Sequence, residues 1–347
     1  MSRIAIGIAH GHVPKWLQIA IYSLKKFNPG VNCDIWIAET WPDHPSIKAI
    51  TENDLGDNIN IIQCTIRKHS HATALDQILD DIADSDSYDY MFSMETDCMA
   101  CKDGWLDWFY QFLANDLSRG MAGFFWHEGD HHYNINPSGT LYLKSMLLKY
   151  HKEVRENNEN MFWHPRGNKH GNDAGMDPTI KDVAGVFSET RGIKDPTPAQ
   201  LDGILKGIPF ASWFEPGAWL WCRSLGEYGG VSVPCDHIYQ KFGRHTAPEG
   251  TYYGGKANPQ FLHLWAGTRS YDAVKHLIND TFVLECAPLW MEREHRIWKS
   301  FVPEKYRKAI PSIYEEMEFE KKMKENMSNW QEIADKLGPN WGKGGDI

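Results

Sequence analysis

The sequence contains no stretch approaching the ~20 uncharged apolar residues that a membrane-spanning helix needs. Its best candidate, Phe282 to Met291, is short and interrupted by Glu285 and Pro288, so at most a peripheral membrane contact is expected. The chain opens Met-Ser-Arg-Ile with no apolar signal segment. Cysteine gives no complete disulfide framework: Cys33, Cys64, Cys98, Cys101, Cys222, Cys235 and Cys286 make an odd seven, which points to a reducing, cytoplasmic setting. Cys98-Met99-Ala100-Cys101 has the spacing of half a zinc site, but no second C-x-x-C completes it, and the two read as buried thiols. Positive charge is also short, with 36 Lys and Arg against 46 Asp and Glu, a formal net charge of −10 and a pI near 5.9. Such a chain repels a phosphate backbone at long range, and no sizeable basic patch offsets this. No internal repeat is visible. The run Gly7-Ile8-Ala9-His10-Gly11-His12 holds no Lys or Arg, which excludes the basic, Gly-rich phosphate loop of a nucleotidylyltransferase.

What is present suffices for a full hydrophobic core. The chain has 347 residues, 42% of them hydrophobic and 24% charged, which fits one large domain or a domain with a subdomain. Aromatics make up 13%, enough for stacking platforms under sugars or bases, or for a large aromatic core. Arg3 to Ala9 reads as a buried strand. Pro14 then opens a helix to Lys26, with Trp16, Ile19, Ala20, Leu24 and Phe27 at helical spacing. Strands at Cys33 to Ala38 and Asn60 to Cys64, a short helix from Pro45 and a helix from His71 to Ala83 continue the alternation of right-handed βαβ units. Tyr88 to Met94 is a fourth strand. Trp105 to Leu117 is helical, Met121 to Trp126 and Thr140 to Leu143 are strands, and a helix follows from Ser145 to about Asn157.

Residues 1–157 thus form an α/β, mostly parallel nucleotide-binding half. Residues 158–270 are expected to be an acceptor-side half of the same globular unit. It begins with a long Gly-, Pro-, Asn- and His-rich loop or lid from Asn158 to Pro198 and continues as an irregular aromatic layer to His263. Gln260 to Trp265 reads as a returning strand and Tyr271 to Asn279 as a helix. Residues 271–347 form a helical region rich in Glu, Lys, Met and Trp, lying on the domain or serving as a homo-oligomer surface.

The strand from Tyr88 runs directly into Glu95-Thr96-Asp97, so two carboxylates stand at the carboxyl end of a sheet strand, where open α/β sheets bind ligands. Two acids flanking one residue can both face a hard cation, which takes oxygen ligands and keeps room for substrate phosphates. An ordinary acidic strand-to-loop turn has the same composition, and the context decides between them. The string Tyr88-Asp89-Tyr90-Met91-Phe92-Ser93-Met94-Glu95-Thr96-Asp97 resembles the strand and "DxD" signature of GT-A-fold, nucleotide-sugar-dependent glycosyltransferases of the family-2 type. The resemblance implies a GT-A-like, Rossmann-like sheet flanked by helices. It also implies Mn²⁺ or Mg²⁺ as cofactor and a UDP- or GDP-sugar as donor. Asp97 would ligate the ion directly, and Glu95 would reach it through water or hold the donor ribose. The first acid departs from the usual Asp.

Other segments follow the family order over residues 3 to 270. Lys68 to Asp76 is similar to the stretch passing the donor's base and sugar, implying donor contacts from Arg67, His71 and Asp76; His71 stands at a helix N-terminus, whose dipole favours anions. Ala9-His10 resembles the edge that receives the nucleotide. Asn134 to Tyr142 resembles an element whose small residue, here Gly139, lets donor and acceptor approach the backbone. Phe261 to Arg269 looks like the late strand whose histidine, here His263, closes the metal site. Imidazole beside carboxylates suits Mn²⁺ better than Mg²⁺. Thr96 would line the donor, and Arg269 and Lys256 would neutralise the leaving diphosphate. Glu215 best resembles the acceptor-side acid that would serve as base, with Asp202 second. The acceptor would be a hydroxyl of a glycan, lipid-linked precursor, protein or modified nucleobase.

Two readings from other classes compete. His127-Glu128-Gly129-Asp130-His131 is an H-E-x-x-H string, which on a helix would place two histidines on zinc with the glutamate as base. It follows a strand-like run, contains Gly129 and is soon met by Pro137, so the helix it requires is poorly supported. The other is a non-catalytic carbohydrate-binding protein on a transferase scaffold, with the acidic triplet idle.

Overall fold

A computed structural model of the chain describes residues 3–10, 14–39, 58–63, 71–116, 118–128, 131–156, 227–242, 245–264 and 281–308, together with Leu220 and Ser224. Its centre is a seven-stranded sheet in the order β10-β6-β9-β4-β1-β2-β3. The strands are β1 (Arg3–His10), β2 (Asn32–Glu39), β3 (Ile59–Gln63), β4 (Tyr90–Glu95), β6 (Arg119–Gly123), β9 (Thr140–Leu143) and β10 (Gly229–Ser232). β1 is parallel to β2 and β4, β2 to β3, and β10 to β6, while β9 runs antiparallel between β4 and β6. This is the mostly parallel, helix-flanked α/β sheet expected from the sequence.

β1 is buried on both faces, as a central parallel strand must be. Ile4, Ile6 and Ile8 enter one apolar cluster, and Ala5 enters the other. Each fully buried isoleucine contributes about 1.5–3 kcal/mol of transfer free energy. The helices are α1 (Pro14–Lys26), α2 (His71–Ala83), α3 (Trp105–Ala114), α4 (Lys144–Glu156), α5 (Thr281–Phe301) and α6 (Glu304–Arg307). Helix α1 is buried on two sides. Leu17, Ala20, Ile21 and Leu24 face the sheet, whereas Trp16 and Ile19 pack with Trp298 and Val302. Thus the described part of the C-terminal helical region lies on its own domain, and α5 continues through Pro288.

The expected irregular aromatic layer is regular where it is described. β11 (Cys235–Phe242), β12 (His245–Tyr253), β13 (Phe261–His263) and β5 (Cys98–Ala100) form a four-stranded antiparallel sheet in the order β11-β12-β13-β5. A bulge between Ile238 and Tyr239 breaks its register, and Pro248 interrupts the alternation that would have revealed it. Aromatic rings join the two sheets. Phe92 of β4 lies 5.2 Å from Trp105, 5.0 Å from Phe109 and 5.3 Å from Phe261 of β13, and Trp105 stacks on Phe261 at 5.2 Å. Much of the aromatic content is therefore core.

The single strand expected over Met121 to Trp126 is divided. β6 ends at Gly123, and the chain enters a separate two-stranded ribbon of β7 (Phe125–Glu128) and β8 (His131–Ile135). The H-E-x-x-H string is consequently a hairpin, with His127 opposite His132 and Glu128 opposite His131. The zinc-hydrolase reading thereby loses the helix it requires. The loop expected over Asn158 to Pro198, the helices expected from Pro45 and over Tyr271 to Asn279, and the tail beyond Lys308 lie outside the described residues. Among the described residues no helix is long and apolar enough to cross a membrane.

Candidate metal and donor site

The chain changes sheets at Glu95-Thr96-Asp97. β4 belongs to the large sheet and ends at Glu95, while β5 begins at Cys98 in the small one. The corner is fixed from both sides. Cys98 pairs with His263 in register, and Leu264 N–H donates to the Asp97 carbonyl at 2.9 Å. As a result the His263 ring reaches back to both acids: its Nε2 lies 3.3 Å from Glu95 Oε2 and 3.6 Å from Asp97 Oδ1. Asp97 and His263 are buried, whereas the Glu95 side chain keeps 37% of its surface exposed. Asp97 also faces the buried Arg293 of α5, and two acids with an imidazole at a strand end form a set that can take a cation.

Ser138 orients Glu95. Its hydroxyl donates to Glu95 Oε2 at 2.5 Å, and its backbone N–H donates to Asn136 Oδ1 at 2.7 Å, forming an Asx turn. Tyr253 of β12 donates its hydroxyl to the Ser138 carbonyl at 2.7 Å. Burial, then the neighbouring Cys98 and Cys235 thiols, push the Tyr253 phenol well above its usual range and keep it a donor. Gly139 closes this turn with φ +99°, and a Cβ there would meet Tyr253 Oη at 2.7 Å. Its N–H donates to the Ser93 carbonyl at 2.9 Å, which seats the turn on β4. Glycine is thus required both by its backbone angle and by the space available.

Ligand atoms of Asp97, Cys98 and His263 lie within 4.8 Å of one another. Donors of an ion held at ~2.0–2.3 Å are separated by somewhat less than this, so a small inward shift of side chains would close them on a metal. The donor set fits a divalent ion. Imidazole and thiol place the preference with Mn²⁺ and softer ions ahead of Mg²⁺. Burial, followed by repulsion from Asp97 and Glu95, raises the Cys98 thiol well above its ordinary range, and it would have to lose its proton to join the ligands.

Of the other residues singled out in the sequence, Ala9 and His10 end β1, and His10 Nδ1 is 2.5 Å from Glu39 Oε2. Thr96 is buried within the corner. His71 is the first residue of α2, and Asp76 is buried farther along it. Lys256 lies in the turn between β12 and β13, half exposed, with Nζ 3.2 Å from Glu249 Oε2. Arg67, Asp202, Glu215 and Arg269 lie outside the described residues. The structure therefore brings Glu95, Asp97 and His263 together, sets His10 in a separate pair, and ties Lys256 to Glu249.

Sequence reasoning missed Ser138, Cys98 in a ligand position, and Arg293 of α5. Arg293 is buried, donates from Nη1 to the Glu249 carbonyl at 2.7 Å, and has Asp97 as its leading electrostatic partner. Ser138 was within reach, because Asn136-Pro137-Ser138-Gly139 is a turn whose serine precedes the required glycine. Nothing local marks Arg293.

No protein-family model matches the sequence, and no curated protein does. Among solved structures, the chain is similar to S. aureus TarS 1–349, at 10% identity and a TM-score of 0.35, over 44% of this chain and 50% of that one. It is likewise similar to the mannosyltransferase PcManGT from Pyrobaculum calidifontis in complex with GDP-Man and Mn²⁺, at 12% identity and a TM-score of 0.35, over 42% and 46%. A third is glucosyl-3-phosphoglycerate synthase from Mycobacterium tuberculosis in complex with phosphoglyceric acid, at 11% identity and a TM-score of 0.32, over 42% and 58%. The chain spans about half the length of these structures. Likeness at this level adds no weight to the reading of the site, which stands on the chain's own topology and side chains.

Proposed function

We propose that this chain is a GT-A-type glycosyltransferase that uses a divalent ion, Mn²⁺ in preference to Mg²⁺, to move a sugar from a UDP- or GDP-sugar to an acceptor hydroxyl. The observation that carries the reading is the convergence of Glu95, Asp97 and His263, within 3.3 and 3.6 Å, where a central parallel strand ends and the chain changes sheets. Ligands of open α/β sheets bind at such carboxyl ends. The ion, when bound, would neutralise negative charge on the departing diphosphate.

The chain's own groups divide the remaining work. Asp97 and His263 hold the ion, while Ser138 keeps one Glu95 oxygen in place through its short hydrogen bond. Gly139, packed against Tyr253, forms the turn that sets Ser138 beside the donor, and the backbone edge at Ala9 and His10 receives the nucleotide, with Arg67, His71, Asp76 and Thr96 along the donor. Glu215, with Asp202 as the second choice, takes the proton from the acceptor hydroxyl as its oxygen bonds to the anomeric carbon and the diphosphate oxygen leaves. Arg269 and Lys256 add positive charge for the leaving group. The acceptor is a hydroxyl on a glycan, lipid-linked precursor, protein or modified nucleobase. The free thiols of Cys33, Cys98, Cys101 and Cys235 agree with a cytoplasmic setting.

The test is Mn²⁺-dependent turnover of a panel of UDP- and GDP-sugars by the native chain and by Asp97→Ala. Turnover that disappears in the variant, with its fold retained by circular dichroism, supports the reading. Equal turnover in both removes the proposed role of Asp97. Binding of a glycan without any donor turnover moves the assignment to a carbohydrate-binding protein.

A further inference from the structure

Helix α5 carries a buried arginine that bonds the strand paired with His263. It is held rigidly on α1: Trp298 Nε1 donates to Gln18 Oε1 at 2.7 Å, and Lys15 Nζ lies 4.6 Å from the centroid of the Trp298 ring. Rigid placement matters, because Arg293 leaves this helix with only 8% of its surface exposed. Its Nη1 donates to the Glu249 carbonyl at 2.7 Å. Glu249 precedes Gly250 and Thr251, and Thr251 is the residue paired with His263 across β12 and β13. Contact between those strands is tight, since a Cβ on Gly250 would meet the His263 carbonyl oxygen at 2.9 Å. The guanidinium is therefore anchored on the strand beside His263. Burial lowers the pKa of Arg293, while Asp97 first, then Tyr252, Glu249 and Glu294, favour its charged form.

Charge counting gives this cation a purpose. A divalent ion would balance Glu95 and Asp97, leaving the negative charge of a diphosphate to be met by other groups. Lys256 is half exposed and engaged by Glu249 at 3.2 Å. Arg293, which also faces Glu249 and Glu294, is buried and forked, the form that recognises phosphate oxygens best.

We propose that Arg293 is a diphosphate-binding residue of this site, acting beside the metal ion. The assignment rests on the transferase reading above. Before the donor arrives, the guanidinium competes with the ion for Asp97; once the diphosphate is present, both cations bind it. Removing the charge thus has opposite effects on the two ligands, which a purely structural role would not produce.

The experiment measures calorimetric binding of Mn²⁺ alone, and then of inorganic pyrophosphate, UDP and GDP to the Mn²⁺-saturated protein. Native chain, Arg293→Met and Arg293→Lys are compared. Arg293→Met is expected to bind Mn²⁺ about two- to tenfold more tightly, because a neighbouring positive charge is gone, and pyrophosphate at least about tenfold more weakly. Arg293→Lys should keep native Mn²⁺ affinity and recover part of the pyrophosphate affinity. Equal pyrophosphate affinity in all three proteins overturns the assignment. Joint loss of Mn²⁺ and pyrophosphate binding in both variants also overturns it, by showing that Arg293 merely supports Asp97. A native chain that binds Mn²⁺ and pyrophosphate but neither UDP nor GDP counts against the nucleotide-sugar reading, while the two variants still decide the role of Arg293.

Discussion

Two histidine–carboxylate groups stand at the carboxyl edge of the same sheet, and they are built differently. At the ends of β1 and β2, His10 and Glu39 lie opposite each other in register, 2.5 Å apart, with side chains 0% and 1% exposed. At the end of β4, one nitrogen of His263 is shared by two acids at 3.3 and 3.6 Å, and one of those acids is 37% exposed. The first pair is short and buried. The second is longer, has one acid partly exposed and sets two carboxylates against one imidazole, with Arg293 also facing Asp97. A buried pair joins two strands, whereas two acids at a partly exposed strand end can take a cation. Proximity of histidine to carboxylate is therefore a weak indicator of a metal site; access to solvent distinguishes the two groups.

The comparison breaks first at Asp97. Asp97→Ala should lower Mn²⁺-dependent turnover by about 10³-fold or more, as loss of a group essential to charge stabilisation does, while thermal melting shows a folded protein. Unchanged turnover would place β4's end among the structural pairs.

Glu39→Ala should do the reverse. Removing one member of a buried hydrogen-bonded pair costs about 3–5 kcal/mol when the partner stays charged and less when it becomes neutral. Denaturant unfolding should show this loss at Glu39, with Mn²⁺ affinity unaltered. A Glu39→Ala protein of native stability that loses Mn²⁺ binding would reverse the two roles.

Added metal offers a gentler probe. At a free Mn²⁺ concentration about 100 times its dissociation constant, stabilisation should reach about 2.7 kcal/mol. The resulting rise in Tm should appear in the native chain and in a Glu39→Gln variant, and be absent from His263→Ala. A rise that survives His263→Ala would mean that the ion binds elsewhere.

The smallest effect concerns pH. Burial, and then the nearby His263, lower the pKa of His237 to about 4. An unfolded chain takes up the corresponding proton near pH 6.5, ahead of the folded one, so stability is lost as pH falls from about 6.5 toward 4. Because His237 is only half-buried, solvent screening keeps this slope shallow. His237→Gln should flatten Tm against pH across that window, and an unchanged profile would show that His237 does not titrate as its surroundings indicate.

How much of this was legible in the sequence varied with how local the cause was. β1, α1, α2 and β4 were readable to within a residue or two, because apolar periodicity and turn residues set them locally. The small sheet was read as irregular, since a bulge at Ile238 and Tyr239 and the proline at position 248 interrupt its pattern. β5 is only Cys98–Ala100, too short to carry a periodicity, yet it fixes the corner. Within the site, Glu95 and Asp97 were visible as a string and His263 by its place in the chain order. Cys98 takes its position from pairing with a strand more than 160 residues away. Arg293 sits in Met291-Glu292-Arg293-Glu294-His295-Arg296, where charge reads as a solvated helix face; only packing on α1 and β12 makes it a buried cation.

The change of sheet at Thr96 has a mechanical side. Glu95 is carried by the seven-stranded layer, whereas His263 is carried by the four-stranded one. An ion gripped by both would rivet the layers at a point where covalent continuity is a single short bend. Occupancy would then be felt as stiffness between the two sheets, not merely as charge at one corner.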